Sequence, residues 1–549
     1  MINEAFAPAK APRESSRWLP WEVGIVVAAT TGGLVLRLYG LGARPLFGPE
    51  VYTWDFAHQT VPFIFGRLSE IETNPPFYFL LIKLVMTIGE SEFLLRLPSA
   101  IAGTLAIPLV YLLGRLGGAS MAGALGAGLL SLSALAIDYS RDARCYALVQ
   151  DACLLAAIGL VLILNHYPRA GGARAQPAER ENAGWVLLTF ASITGFYLHY
   201  TFMFEIAALH AAFVIAWLGG IRFDRPFLAK WLACSLLTVI AMTWGLLLAE
   251  AQSHSDNIAW MQLPSIRWAA GLLAKVDGYS ALSRFQPLPN LALVGVAAVG
   301  LAAGWRRASA VLASGAIFVL FPLLLLLVSL RQPMFIDRVL VPSDFAVCLL
   351  AGYGCLFLVR TVYERGRRWL PPGAAGYASR FFDSGVLVGL AALVLLLPAG
   401  ISAANNTRGP RLREPYDQVA EYLAAAVKPG DAAAGTDGVI YYRRRINAAF
   451  PYFKLTEGNA SGALVTFGAP TVDVDDLRQL ALSGHSVYLA LREGIELVVD
   501  GTLYPSYSRY VRGKLGHSAP PVASFGELAV YRLAGTCPAS APCTDEPQD

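Results

Sequence analysis

The chain has 549 residues, 55% of them hydrophobic and only 15% charged, with a mean hydropathy of +0.50. A soluble globular chain averages roughly a quarter charged residues, so this composition excludes that class and specifies a polytopic membrane protein. The 43 basic and 39 acidic residues leave a formal net charge of +4, too small to mark a nucleic-acid partner; what the bases report is their placement along the chain.

Residues 1–20 are polar and carry Lys10, Arg13 and Arg17, which reads as a cytoplasmic lead-in to a retained anchor rather than a cleavable signal. Apolar runs of the length that crosses a hydrocarbon core about 30 Å thick fall near 22–41, 98–116, 119–137, 145–165, 184–199, 201–219, 230–249, 289–304, 308–330, 339–359 and 383–403. They predict about eleven crossings, a mainly α membrane domain over 21–403. Arg115, the Arg169, Arg174 and Arg180 loop, Arg222 with Arg225 and Lys230, the Arg306 and Arg307 pair and the arginines between Arg360 and Arg380 then share one face with the N-terminus. That face is cytoplasmic by the positive-inside rule. The opposite face collects Glu50, Asp55, Glu70, Glu72, Glu90, Glu92, Asp138, Asp142, Asp256, Asp277 and Asp337 in loops 42–97, 138–144 and 250–288, and is expected to be periplasmic. The run NPPFYFLLIKLVMTIG at 74–89 is short and contains Lys83; a span there would turn every later basic loop outward, so it is expected to be an interfacial amphipathic helix.

After Ala403 the chain changes character. Residues 404–549 are expected to form an external α/β domain, with an amphipathic helix ending at Pro429 and Gly430, strands at GVIYY (438–442), ALVTF (463–467), SVYLAL (486–491) and LAVYRL (528–533), and a helix in VDVDDLRQLALSG. Cys145, Cys153, Cys234, Cys348 and Cys355 lie in or beside apolar runs, while Cys537 and Cys543 in the tail either close a small disulfide loop in an oxidising compartment or remain thiols.

Two stretches on the acidic face carry candidate chemistry, because charges at a membrane edge are expensive to keep there. In LFGPEVYTWDFAHQ, Gly48 and Pro49 turn the chain just beyond the first span and present Glu50, with Asp55 and His58 following. In IDYSRDARCYAL, Asp138, Arg141, Asp142 and Arg144 stand within seven residues between two apolar runs. Carboxylates position a metal or accept a proton, and arginine forks hold phosphate.

Six stretches in order, LFGPEVYTWDFAHQ, ETNPPFYFLLIKL, SEFLLRLPSAIAGTLAIPLVYLLGRLGG, YSRDARCYALV, GFYLHYTFMF and FIDRVLVPSDFAVCLLAG, resemble the GT-C membrane glycosyltransferases. In particular they resemble the protein O-mannosyltransferase-like family that includes the lipid A aminoarabinose transferases. The resemblance covers about residues 20–360. It implies an inverting transfer of a sugar from a polyprenyl-phosphate donor to a lipid, glycan or protein acceptor at the external face of a bacterial inner membrane. It departs from the family at one place: Pro49–Glu50 stands where the family has Asp–Glu. Glu50 itself acting, Asp55 one turn on substituting, or a member that no longer transfers sugar are the three consequences, of which the first is preferred. Asp142 matches the family's second-loop glutamate, with Arg144 and Tyr146 beside it and Tyr139 upstream. Arg338 matches a late arginine suited to gripping the carrier phosphate, and Arg96 either plays a similar part or anchors its helix. Asn74 replaces a histidine before Pro75 and Pro76, and His199 with Tyr200 match an outer His–Tyr pair. Members differ in needing a divalent metal, so the cofactor stays open. A lipid-linked-sugar flippase and a catalytically inactive carrier-binding protein are the competing readings; a flippase commonly shows midplane sites and internal repeats, and neither is visible here.

Overall fold

The computed structural model describes residues 20–71, 74–167, 177–253, 263–265, 288–367, 396–401, 403–404, 414–436, 438–455, 471–472, 474–482, 485–493, 497–499, 502–504, 507–515 and 519–533. The bundle is built from α1 (Pro20–Leu38), α2 (Gly48–His58), α3 (Val61–Ile71), α4 (Phe77–Met86), α5 (Glu92–Leu116), α6 (Ser120–Leu132), α7 (Ala134–Ser140), α8 (Tyr146–Leu164), α9 (Ala178–Leu198), α10 (Phe202–Leu218), α11 (Arg225–Ser253) and α12 (Leu288–Gly304). It closes with α13 (Ser309–Gly315), which runs through a π-turn (Ala316–Leu320) into α14 (Phe321–Ser329), and with α15 (Val341–Arg367) after a short 3-10 turn (Asp337–Leu340).

A helix stands at each of the first ten expected spans; the eleventh lies mostly outside the described residues. The count of eleven crossings is not established by helix length. Among the described residues five helices are long and apolar enough to span, and six if α6 and α7, bent by 60°, form one broken span. The shortfall has a physical cause: α10 has 17 residues, roughly 25 Å at 1.5 Å rise per residue, and α9 opens with Glu179, Arg180 and Glu181. The 74–89 run forms only the ten-residue α4, about 15 Å long and too short to cross. Lys83 on α4 donates to Ala57 O at 3.3 Å and Gln59 O at 2.6 Å. Its charge thus caps the carbonyl end of α2, where a cation is favoured.

Small residues let the helices approach. A Cβ on Gly354 of α15 would stand 2.0 Å from Val296 O of α12, and one on Gly300 of α12 would stand 2.1 Å from Leu350 O. Gly354→Val is therefore expected to force α12 and α15 apart, at the ~1–3 kcal/mol or more typical of overpacking, and to lower the unfolding temperature in detergent.

The break between α6 and α7 aims the 138–144 loop. Ser133 Oγ caps α7 by accepting from Ala136 N at 3.2 Å and donates to Asp344 Oδ2 at 2.6 Å. The carbonyls freed by the break, Leu130 O and Ser131 O, each accept from the buried Arg37 guanidinium at 3.4 Å, and Arg37 Nε reaches Ser140 Oγ at 3.2 Å. A kink whose backbone groups are satisfied this way is tolerated at membrane depth.

The C-terminal part holds α16 (Tyr416–Ala426), β1 (Ala432–Gly435), α17 (Gly438–Arg445), β2 (Tyr452–Leu455), β3 (Thr471–Val472), α18 (Val474–Leu482), β4 (Val487–Arg492), β5 (Leu497–Val499), β6 (Thr502–Tyr504), α19 (Tyr507–Leu515), β7 (Ala523–Phe525) and β8 (Leu528–Leu533). Its main sheet has the order β3-β2-β1-β4-β8-β7, parallel through β4 and antiparallel beyond, beside a separate β5-β6 hairpin. The strands expected at 486–491 and 528–533 and the helices before Pro429 and after Asp473 are present, while 463–467, Cys537 and Cys543 lie outside the described residues. The strand expected at 438–442 is corrected: GVIYY begins α17. Its β-like composition yields to burial, because Val439, Ile440, Tyr441 and Tyr442 are all buried between the sheet and the bundle. Three arginines in its last turn suit the helix dipole.

Candidate active site

The chain turn at Phe47–Gly48–Pro49 starts α2, so Glu50 occupies the third helical position and reaches back to the Phe47 amide at 3.2 Å. Its carboxylate is wholly buried. Oε1 accepts from Arg96 Nε at 2.7 Å and from Ala143 N at 2.8 Å, and Oε2 accepts from Arg96 Nη2 at 2.6 Å. Arg96, one turn into α5, spends its remaining N–H groups on Leu41 O, Arg44 O and Pro45 O, each at 2.9 Å. This fork-to-fork pair joins the first loop, α5 and the 138–144 loop into one frame. Arg96 has all five N–H groups engaged in it.

Asp142 precedes the Ala143 amide that Glu50 holds. Part of its surface stays open, yet protein surrounds the carboxyl closely enough that desolvation, with the neighbouring Glu50 charge second, pushes it up to about 8 against the pull of Arg96, Arg144 and Arg141. Arg44 and Arg141 face the same carboxyl, and each is lowered by burial first and by the neighbouring guanidiniums. Arg141 is steadied by Tyr39 O at 2.7 Å. Arg144 reaches Pro49 O at 3.2 Å and Thr53 Oγ1 at 3.1 Å, and its carbonyl accepts from Ser99 Oγ at 2.8 Å. Four guanidiniums therefore stand around two carboxylates, an excess of positive charge that favours an anion.

The wall beyond Arg144 is aromatic. Tyr139 and Tyr146 meet edge-to-face at 5.3 Å between centroids, and Tyr146 lies 5.7 Å from the His199 ring. Arg338 and Arg144 are the charged groups that face His199, whose Nδ1 pairs with Thr201 Oγ1 at 2.8 Å. Tyr139 hydrogen-bonds Asp337, the residue before Arg338.

The structure thus gathers Glu50, Asp142, Arg96, Arg144, Tyr139, Tyr146, His199 and Arg338 at one end of the bundle. Asp55 and Tyr200, two other sequence candidates, stand apart. Asp55 is buried on α2 about 140° round the helix from Glu50 at 100° per residue, beside Phe56, whose ring packs on Phe79 at 4.7 Å. Tyr200 packs on Phe196 at 5.4 Å, against the cluster around Phe56 and Leu248. Asn74 is half-buried in the turn before α4. His254, Asp256 and most of that long loop lie outside the described residues, and among the described ones no group of three or more His, Cys, Asp or Glu has the disposition to hold a metal.

Several residues at the site were not singled out from sequence. Arg44 lies in the same short loop as Glu50 and was legible as a base there. Tyr442 has no such signal: its hydroxyl accepts from Leu46 N at 2.7 Å and donates to Glu92 Oε1 at 3.1 Å, almost 400 residues away in the chain. Arg445 also pairs with Glu92, and Tyr441 donates to Glu90 O at 2.7 Å while its ring meets Trp54 edge-on at 5.0 Å. The C-terminal part therefore sits directly on α2 and the start of α5.

This bundle has a fold that recurs in solved structures. Within it the chain is similar to ArnT from Cupriavidus metallidurans bound to undecaprenyl phosphate, with a TM-score of 0.60 at 15% identity over 94% of this chain and 99% of that one; the apo form gives 0.59, 15%, 93% and 98%. The apo oligosaccharyltransferase of Archaeoglobus fulgidus matches with a TM-score of 0.50 at 13% identity over 77% of this chain and 63% of that one. Residues 73–247 match the family model of the dolichyl-phosphate-mannose-protein mannosyltransferases. No curated protein matches the chain. At such identities the likeness establishes the fold, and the chemistry has to be argued from the site.

Proposed function

We propose that the protein is an inverting glycosyltransferase that moves a sugar from a polyprenyl-phosphate carrier to a hydroxyl of a lipid, glycan or protein acceptor at the periplasmic face of a bacterial inner membrane. The observation that carries this reading is the Asp142 carboxyl, pushed up to about 8 and set among four guanidiniums at one rim of the bundle. A base tuned near the working pH is what deprotonation of a hydroxyl needs. The acceptor oxygen attacks the anomeric carbon from one side, its proton passes to Asp142, and the bond from that carbon to the phosphate oxygen breaks on the other. Polyprenyl phosphate leaves with the bonding pair, and Arg144 and Arg338 stabilise the charge that grows on it. Glu50 takes a different part from that of a base: with both oxygens committed to Arg96 and two amides, it holds the frame that presents Asp142. The periplasmic placement rests on the arginine-rich loops expected on the other side.

The test supplies purified protein in nanodiscs with a panel of radiolabelled polyprenyl-phosphate sugars and a membrane extract. Transfer releases free polyprenyl phosphate and moves label to an acceptor. Label that crosses liposomes with the carrier unconsumed would replace the enzyme by a flippase.

A further inference from the structure

In the C-terminal sheet, β1 passes its chain through α17 to β2 on one side, while its other neighbour, β4, arrives through α18 from β3 at the far edge. In open α/β sheets the crevice outside the carboxyl ends of two such strands is where ligands are held. Here the carboxyl end of β4 lies toward the membrane domain. β4 ends at Arg492, which pairs with the buried carboxylate of Glu414 and with Glu527 at 3.0 Å. Glu414 in turn accepts a hydrogen bond from the Gly48 amide at 2.6 Å. Gly48 is the first residue of α2, two before Glu50. Helix N-termini leave amides without intrahelical partners and carry the positive end of the dipole, so a carboxylate there fixes where the helix starts and how it is rotated. Pro49 O, the next peptide group, is the acceptor of Arg144.

We propose that Glu414, its charge balanced by Arg492, is a positioning residue for the site: it anchors the Gly48 amide and so aims the first turn of α2 at Arg96 and the Ala143 amide, which places Asp142. The C-terminal domain thereby holds the loop that carries Glu50. The kinetic part of this inference rests on the transferase reading; the structural part does not.

Two readouts separate them. Hydrogen exchange measured by mass spectrometry on the full-length protein in nanodiscs is expected to show residues 46–51 exchanging about tenfold faster in Glu414→Ala, the scale of one lost charge-assisted hydrogen bond, with β4 and β8 protected as in the wild type. The kcat for sugar transfer is expected to fall roughly tenfold to a hundredfold, the effect of a small misplacement of reacting groups, with KM for the donor unchanged; Glu414→Gln, which keeps an acceptor oxygen, recovers part of both. Glu421→Ala, on the exposed face of α16, should alter neither. Unchanged protection of 46–51 in Glu414→Ala, or in Glu414→Gln and Arg492→Ala together if Glu414→Ala loses its β4 and β8 protection, overturns the proposal. A wild-type protein that transfers no sugar removes the reaction assigned above and leaves the exchange measurement to decide the anchoring.

Discussion

Replacing Asp142 by asparagine is expected to lower sugar transfer by about 10²- to 10⁴-fold, the range for removing a positioned general base, with no fall in the unfolding temperature at neutral pH, because the carboxyl that costs stability there is gone. The wild-type pH profile should identify the group. Because desolvation and the Glu50 charge push the Asp142 carboxyl up to about 8, most of it is protonated at neutral pH. Turnover should rise close to tenfold per unit below that value and level off above it; Asp142→Asn should retain a residual rate that has lost this limb. Glu50→Gln should move the limb to lower pH, since it removes the negative neighbour and leaves Arg96 to favour the ionised form. The sign for stability is opposite: a carboxyl whose folded value lies above its unfolded one contributes stability that is present below about pH 4 and lost as pH rises through 8. A profile flat between pH 6 and 9 in the wild type would sink the assignment of Asp142 as base.

Glu50→Ala is expected to destabilise the protein by about 3–5 kcal/mol, the usual result of stranding one partner of a buried ion pair. Arg96 would be left with its Nε and one Nη2 proton facing a void, and Ala143 N would lose its acceptor. Thermal unfolding in detergent checks this, and the companion double variant Glu50→Met with Arg96→Met separates charge from shape. Removing both charges together costs much less than the sum of the single losses, because no buried charge remains uncompensated. A catalytic base behaves otherwise: Glu50→Ala would retain the wild-type unfolding temperature and lose only turnover. That outcome would return the base to Glu50 and reduce Asp142 to a neighbour.

How far the site was legible can be judged residue by residue. Glu50 and Asp142 were found from charge lying against apolar runs, because such placement is costly without a purpose. Arg144, Tyr146, His199 and Arg338 followed from motifs in order, and the structure sets them along one wall. What was not legible is which arginine serves which carboxylate. Arg96 was read either as a phosphate grip or as an anchor for its helix, and the fold turns it onto Glu50. Burial, which is a property of the assembled bundle, commits both oxygens of Glu50 to Arg96 and two amides, and this is why the base is proposed at Asp142 instead. The helix at 438–445 shows the same limit for backbone: Val, Ile and two tyrosines favour a strand locally, and the shape of the surface they cover decided for a helix. The crossing count also stayed open, since apolar length near 17 residues sits at the margin between a span and a shorter buried helix.

By itself, the amino-acid sequence determined the membrane class, the helical bundle, the place of an α/β part after it, and the two acidic stretches where chemistry belongs. These are matters of composition, period and local charge, and they are read along one chain without knowing its path. Only the tertiary structure decided that Ala143 N and Arg96 hold Glu50, that Asp142 is left with four guanidiniums, and that Glu414 and Tyr442 reach back to the first loop. Hydrogen bonds and desolvation depend on which groups meet and how much water is excluded between them, and neither is written in sequence spacing.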